Sequence, residues 1–143
     1  MAPLVVLVLT TAVARASGWL GLDWLDSWPD AVQVGLAAMF ALTASAHFVQ
    51  PRRRLLTAMV PPGLPNPSAL VTLTGVLEIT GAIGLLIPAT TELAAVGLAL
   101  LLVALFPANV RAAQLDVGIK TMPLPLRAAV QFAFIGAVAV AAA

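Results

Sequence analysis

The chain has 143 residues, 62% of them hydrophobic and 9% charged, with a formal net charge of +1. Soluble domains carry about 25% charged residues, so this composition excludes a soluble globular domain, and it equally excludes a disordered chain, which needs low hydrophobicity and high charge. The small net charge leaves no basic footprint for nucleic acid, and the absence of cysteine removes disulfides, thiol redox pairs, thiolate metal ligands and cysteine nucleophiles.

A membrane-spanning helix takes roughly 20 apolar residues, and the few charges divide the chain into five such stretches. The first runs from Pro3 to Leu20 and contains Arg15. It reads as a retained helix. The rival reading, a signal peptide cleaved after Ala14-Arg15-Ala16, lacks a basic leading region and has Arg15 where the apolar stretch should end. Arg15 is expected to reach the interface or pair with Asp23 or Asp26. The second stretch, Ala31 to Gln50, follows Ser27, Pro29 and Asp30, which read as helix-start signals, and stops at Pro51 and Arg52-Arg53-Arg54. Leu55, Leu56, Met59 and Val60 then predict an interfacial turn, with the arginines either near anionic lipid headgroups or acting as a stop-transfer cluster, and Pro61-Pro62-Gly63-Leu64-Pro65 a stiff extended connector. The third stretch, Ser68 to Ile87, is preceded by Asn66-Pro67, an N-cap with proline at the first helical position, and is ended by Pro88. The fourth, Glu92 to Ala108, has Thr91 as its cap. The fifth begins at Leu126. Continuous apolar stretches satisfy their backbone internally as helices, and the alternating pattern of a membrane barrel is missing. The expected fold is therefore all-α and polytopic.

Loop charges set an orientation. Asp23, Asp26, Asp30 and Glu92 fall in the loops of one side. Arg52, Arg53, Arg54, Arg111, Lys120 and Arg127 fall on the other, which the positive-inside rule makes cytoplasmic. The N-terminus is then inside and the C-terminus outside, with Trp19, Trp24 and Trp28 as an aromatic belt at the outer interface. Small-residue stripes at Ala37, Ala41 and Ser45, at Gly75, Gly81 and Gly84, and at Ala129, Ala133 and Ala137 offer close helix contacts, within one chain or with a second copy.

Ionisable groups inside a membrane are costly and face a bundle interior or a cavity. His47 lies about one turn from the cytoplasmic end of its helix, and Glu78 about 10–15 Å in. Asn109, Gln131 and Thr74 share that half, with Thr74 one turn from Glu78 on the same face. Two readings follow. One is a small polar pocket holding a quinone or lipid headgroup, with Glu78 as its acid, His47 as proton or hydrogen-bond partner, and Asn109, Gln131 and Thr74 as neutral anchors. The other is a structural knot of interhelical hydrogen bonds. One His and one Glu do not make a metal site, nor is there a nucleophile, base and orienter set.

Several strings resemble the DoxX family of small bacterial membrane proteins: His47-Phe48, Met59-Val60-Pro61-Pro62-Gly63-Leu64-Pro65, Leu73-Thr74-Gly75-Val76-Leu77-Glu78 continuing to Gly84-Leu85-Leu86-Ile87-Pro88, and Phe106-Pro107-Ala108-Asn109-Val110. The resemblance covers residues 31–143. It implies a four-helix membrane bundle, with residues 1–30 as an added N-terminal helix and outer loop. It also implies a plasma-membrane subunit of a quinone-linked redox assembly, non-catalytic or dependent on a cofactor carried elsewhere, with lipids and respiratory proteins as partners. Quinone is the one cofactor it suggests. The competing readings are a small-molecule or proton-coupled transporter resting on Glu78, and a membrane enzyme acting on a lipid or quinol.

Overall fold

The computed structural model describes residues 1–115 and 122–143. Its elements are α1 (Ala2–Trp19), a 3₁₀ turn (Asp23–Leu25), α2 (Trp28–Phe48), α3 (Arg52–Met59), α4 (Pro67–Leu85), α5 (Thr91–Gln114) and α6 (Leu124–Ala141). Among the described residues all regular structure is helical, and α1, α2, α4, α5 and α6 are long and apolar enough to cross a membrane.

Helix boundaries follow local chemistry. The Ser27 side chain accepts the Asp30 amide at 3.1 Å to start α2. Asn66 adopts the left-handed region (φ 47°) and accepts the Ala69 amide at 3.3 Å to start α4. Several boundaries differ from the sequence expectation, among them the end of α4 at Leu85, three residues before Pro88. Thr91 does not cap α5. It is the first helical residue, and its hydroxyl bonds back to the Leu85 and Ile87 carbonyl oxygens, while Thr90 reaches Gly84, so both threonines satisfy the open end of α4. α5 does not stop at Ala108: it runs through Pro107 to Gln114, which places Asn109 and Arg111 on the helix. Proline removes one backbone donor there, a loss tolerated where neighbouring helices re-satisfy the freed group. The Pro61–Leu64 segment is not extended either, because the Leu64 amide bonds to the Pro61 carbonyl at 3.1 Å and folds it into a turn.

α2 is central. It packs against α1, α3, α4 and α6, while α4 packs on α5 and α5 on α6. Helices α2, α4, α5 and α6 thus close a ring, and α1 lies outside it against α2. Leu36, Met39 and Phe40 of α2, Leu85 of α4 and Leu98 of α5 fill the centre. Gln33 of α2 closes the ring at one end by donating to the Ala141 carbonyl of α6 at 2.9 Å. The outside of the bundle is apolar: Val13, Leu100 and Phe132 are 67%, 65% and 73% exposed. Large exposed apolar surfaces of this kind mark contact with membrane or protein.

Close contacts depend on glycine rather than alanine. A Cβ on Gly35 would stand 2.9 Å from the Leu7 carbonyl oxygen of α1. One on Gly75 would stand 2.6 Å from His47 Cβ and 2.9 Å from the Phe48 ring. Gly81 and Gly84 face Leu98 and Ala94 of α5 in the same way. By contrast, Ala41, Ser45, Ala129 and Ala133 are exposed, while Ala37 is buried and Ala137 packs against the core, so within the chain each of the stripes on α2 and α6 makes close contact at one residue. In an alanine-rich chain such spacing arises without packing. The buried face of α6 is set by Gln131, Val138 and Ala141.

At Gly35 a Cβ would meet the Thr11 side chain first and then the Leu7 carbonyl oxygen, which is backbone and cannot move aside. Gly35→Ala should therefore destabilise the detergent-solubilised protein by about 1–3 kcal/mol, whereas Gly136→Ala, which meets open space, should leave the thermal midpoint unchanged or raise it. Thermal unfolding of the two variants side by side measures the difference.

Candidate functional site

The two ends of the bundle differ in charge. Trp19, Trp24 and Trp28 gather at the end where α1 finishes and α2 begins, together with Asp23, Asp26 and Asp30. Arg15 is held there: its Nη1 is 2.8 Å from Asp26 Oδ1, and its guanidinium carbon lies 4.9 Å from the Trp19 ring centre and 5.7 Å from that of Trp28. The expected Arg15–Asp26 pair is present. The opposite end carries Arg52, Arg53, Arg54, Arg111 and Arg127. Lys120 lies outside the described residues.

The buried ionisable residues among those described sit on the α2–α4 seam. Glu78 (5% exposed) projects from the middle of α4, and His47 (6% exposed) from the last turn of α2. The structure brings them together, with His47 Nδ1 3.9 Å from Glu78 Oε2. That is too long for a hydrogen bond. His47 Nδ1 is 3.2 Å from the Thr43 carbonyl oxygen, one helical turn back, to which it donates when Nδ1 carries the proton. The close partner of Glu78 is Thr43, whose hydroxyl lies 2.7 Å from Glu78 Oε2 and 3.1 Å from the Phe40 carbonyl. A hydroxyl has one hydrogen, so it donates to one of these at a time. With Glu78 ionised, Thr43 donates to it. With Glu78 protonated, the carboxyl can donate to Thr43 and Thr43 to Phe40. The seam can therefore accept a proton without losing the Glu78–Thr43 contact.

Arg53 locks this arrangement. It leaves α3, turns inward and donates to the His47 carbonyl at 2.5 Å, to the Ser68 carbonyl at 3.1 Å, to Ser68 Oγ at 2.8 Å and to Thr72 Oγ1 at 3.0 Å. One planar guanidinium thus joins α3 to the end of α2 and the start of α4, a geometry that suits its fixed fork of donors. Arg111 ties α5 to the same region, donating from Nε to the Ala58 carbonyl of α3 at 3.2 Å.

The other sequence candidates are placed differently. Thr74 bonds back to the Leu70 and Val71 carbonyls of its own helix. Gln131 is buried on α6 and donates to the Leu102 carbonyl of α5. Asn109 is half-buried on α5. So His47 and Glu78 meet directly, while Gln131 joins α5 to α6. Two residues of the seam were not singled out from sequence. Thr43 stands four residues before His47, on the same face of α2, and that spacing was the available signal. Arg53 looks like its neighbours Arg52 and Arg54 in sequence, and only the docking of α3 distinguishes it. Among the described residues, no group of three or more His, Asp or Glu side chains could hold a metal ion.

Among the described residues, fold and seam define an all-helical arrangement with five helices long and apolar enough to cross a membrane and a buried acid and imidazole that both contact Thr43. The chain belongs to the family described as Domain of unknown function (DUF8561), whose model matches residues 36–142. The match takes in most of α2 and all of α3 to α5, together with α6, and leaves α1 outside. No curated protein and no solved structure matches the chain.

Removing the Thr43 hydroxyl leaves Glu78 buried without its close donor, and removing the Arg53 guanidinium leaves Ser68, Thr72 and the His47 carbonyl without theirs. Thr43→Val should cost about 1–3 kcal/mol and Arg53→Gln at least as much, since bonds to charged groups are the stronger ones. Glu78→Gln combined with Thr43→Val should cost less than the sum of the two single changes. A double-mutant cycle on thermal or denaturant unfolding in detergent reads this coupling.

Proposed function

We propose that the chain is a multi-pass protein of the bacterial plasma membrane. Its arginine end is in the cytoplasm, its N-terminus inside and its C-terminus outside. Three features support this: the apolar exterior of the bundle, the five candidate spans, and the collection of Arg52, Arg53, Arg54, Arg111 and Arg127 at one end. Helices α2, α4, α5 and α6 correspond to a DoxX-like four-helix bundle, with α1 as an addition.

Its role is that of a small non-catalytic subunit in a quinone-linked membrane assembly. The α2–α4 seam is where a quinone headgroup meets the chain. The observation that carries this reading is the buried Glu78–Thr43 pair with His47 beside it, in the arginine-side half of an otherwise apolar bundle. A quinone presents two carbonyl oxygens on an apolar body, and a site for it needs few donors within an apolar wall. Electrons would have to be carried by the quinone or by a partner protein, because the chain has no thiol to exchange.

Orientation is tested with single cysteines placed in the cysteine-free chain. Leu22→Cys and Ala89→Cys should react with an impermeant maleimide added outside intact cells, and Gln114→Cys only after permeabilisation. Labelling of Gln114→Cys from outside would reverse or break the five-span arrangement. For the site, a short-chain quinone at about 100 times its Kd should stabilise the purified protein by about 2.7 kcal/mol. Glu78→Gln with His47→Ala should abolish that gain. Equal protection of wild type and double variant would refute the seam as the quinone site.

A further inference from the structure

We infer that α3 is a docking surface for anionic phospholipid headgroups of the leaflet at the arginine end. The inference rests on the membrane reading above and adds a partner to it. α3 has no fully buried residue, so it lies on the surface of the bundle rather than within it. Its three successive arginines are divided by the fold. Arg53 turns inward to His47, Ser68 and Thr72, whereas Arg52 and Arg54 are exposed. Leu55, Leu56 and Met59 are half-buried, so the helix also presents apolar surface at the level of its arginines. Such a helix lies in the plane of an interface, with its cations among the headgroups.

The charge around α3 selects the headgroup. Arg111 and Arg127 stand at the same end of the bundle, and among the described residues no Asp or Glu does. Among the described residues, neither Arg52 nor Arg54 pairs with an acid. A zwitterionic headgroup gains little from such a surface, whereas an anionic one gains from each nearby cation. The surface is also pre-organised. Arg53 fixes α3 to α2 and α4, and Arg111 fixes the Ala58 carbonyl of α3 to α5, so Arg52 and Arg54 are presented on a held backbone. A bound headgroup would in turn restrain α3, and through Arg53 the end of α2 that carries His47.

The test uses the full-length protein in neutral detergent, mixed with equal amounts of phosphatidylglycerol and phosphatidylcholine and examined by native mass spectrometry. Wild type should retain phosphatidylglycerol in roughly thirtyfold preference, which corresponds to about 2 kcal/mol for the two exposed arginines together. Arg52→Gln with Arg54→Gln should bring the two lipids to near-equal retention, and Arg52→Lys with Arg54→Lys should keep the preference. Both pairs change exposed side chains, so their thermal midpoints in neutral detergent should match wild type. No preference in the wild type, or an undiminished one in the glutamine pair, would overturn the inference. Release of the wild-type chain from membranes by alkaline carbonate would instead overturn the membrane reading beneath it.

Discussion

At Gly75 the backbone of α4 comes so close to α2 that a single added carbon would meet His47 and the Phe48 ring. Much else follows from that approach. It brings Glu78, three residues further along α4, within 2.7 Å of the Thr43 hydroxyl. It also sets the start of α4 beside the end of α2, so that Arg53 can reach Ser68, Thr72 and the His47 carbonyl with one guanidinium. Between helices surrounded by apolar material, burial of apolar side chains gives little preference for one neighbour over another, and close van der Waals contact and polar bonds decide the pairing. The α2–α4 seam supplies both.

The polar groups are distributed by strength of anchoring as well as by charge. At the tryptophan end, Arg15 is held by a largely exposed carboxylate and two indole faces, a local arrangement that attaches α1 to the chain around it. At the arginine end, Arg53 and Arg111 bond to backbone carbonyls and hydroxyls on α2, α4 and α3. Bonds to backbone hold position without needing an opposite charge, so that end can be rigid while its net charge stays positive. The tryptophan end is closed instead by a neutral amide, Gln33, on the Ala141 carbonyl.

Much of this architecture was legible in the sequence because it depends on composition and on local caps. The five apolar stretches, the caps at Ser27 and Asn66 and the pairing of Arg15 with an aspartate were read from residues adjacent in the chain. Features that depend on contacts distant in sequence were not. The Gln33–Ala141 bond joins residues 108 apart, and nothing local marks Gln33 out. The end of the fourth stretch at Ala108 and the extended connector at Pro61–Pro62 rest on local composition, but α5 runs through Pro107 to Gln114 and a turn forms at Pro61–Leu64. The alanine stripes divide, with Ala37 and Ala137 turned inward and Ala41, Ser45, Ala129 and Ala133 outward, and spacing alone does not say which. In the site, the types and spacing of Glu78 and His47 were enough to nominate them. The contribution of Thr43 and Arg53 depends on which way α2 and α3 face, and that is set by packing.

The ring of α2, α4, α5 and α6 also has an order in time. Chains are made from the N-terminus and their parts fold as they emerge. α1 and α2 can pair at once through Gly35, and α4 can join α2 as soon as Gly75 and Arg53 are in place. The face of α2 that holds Gln33 has no such early partner, and waits through the synthesis of α4 and α5 for Ala141 to arrive. Until then the ring is open along one side of α2. The bond that is least visible in the sequence is therefore the one that closes the ring.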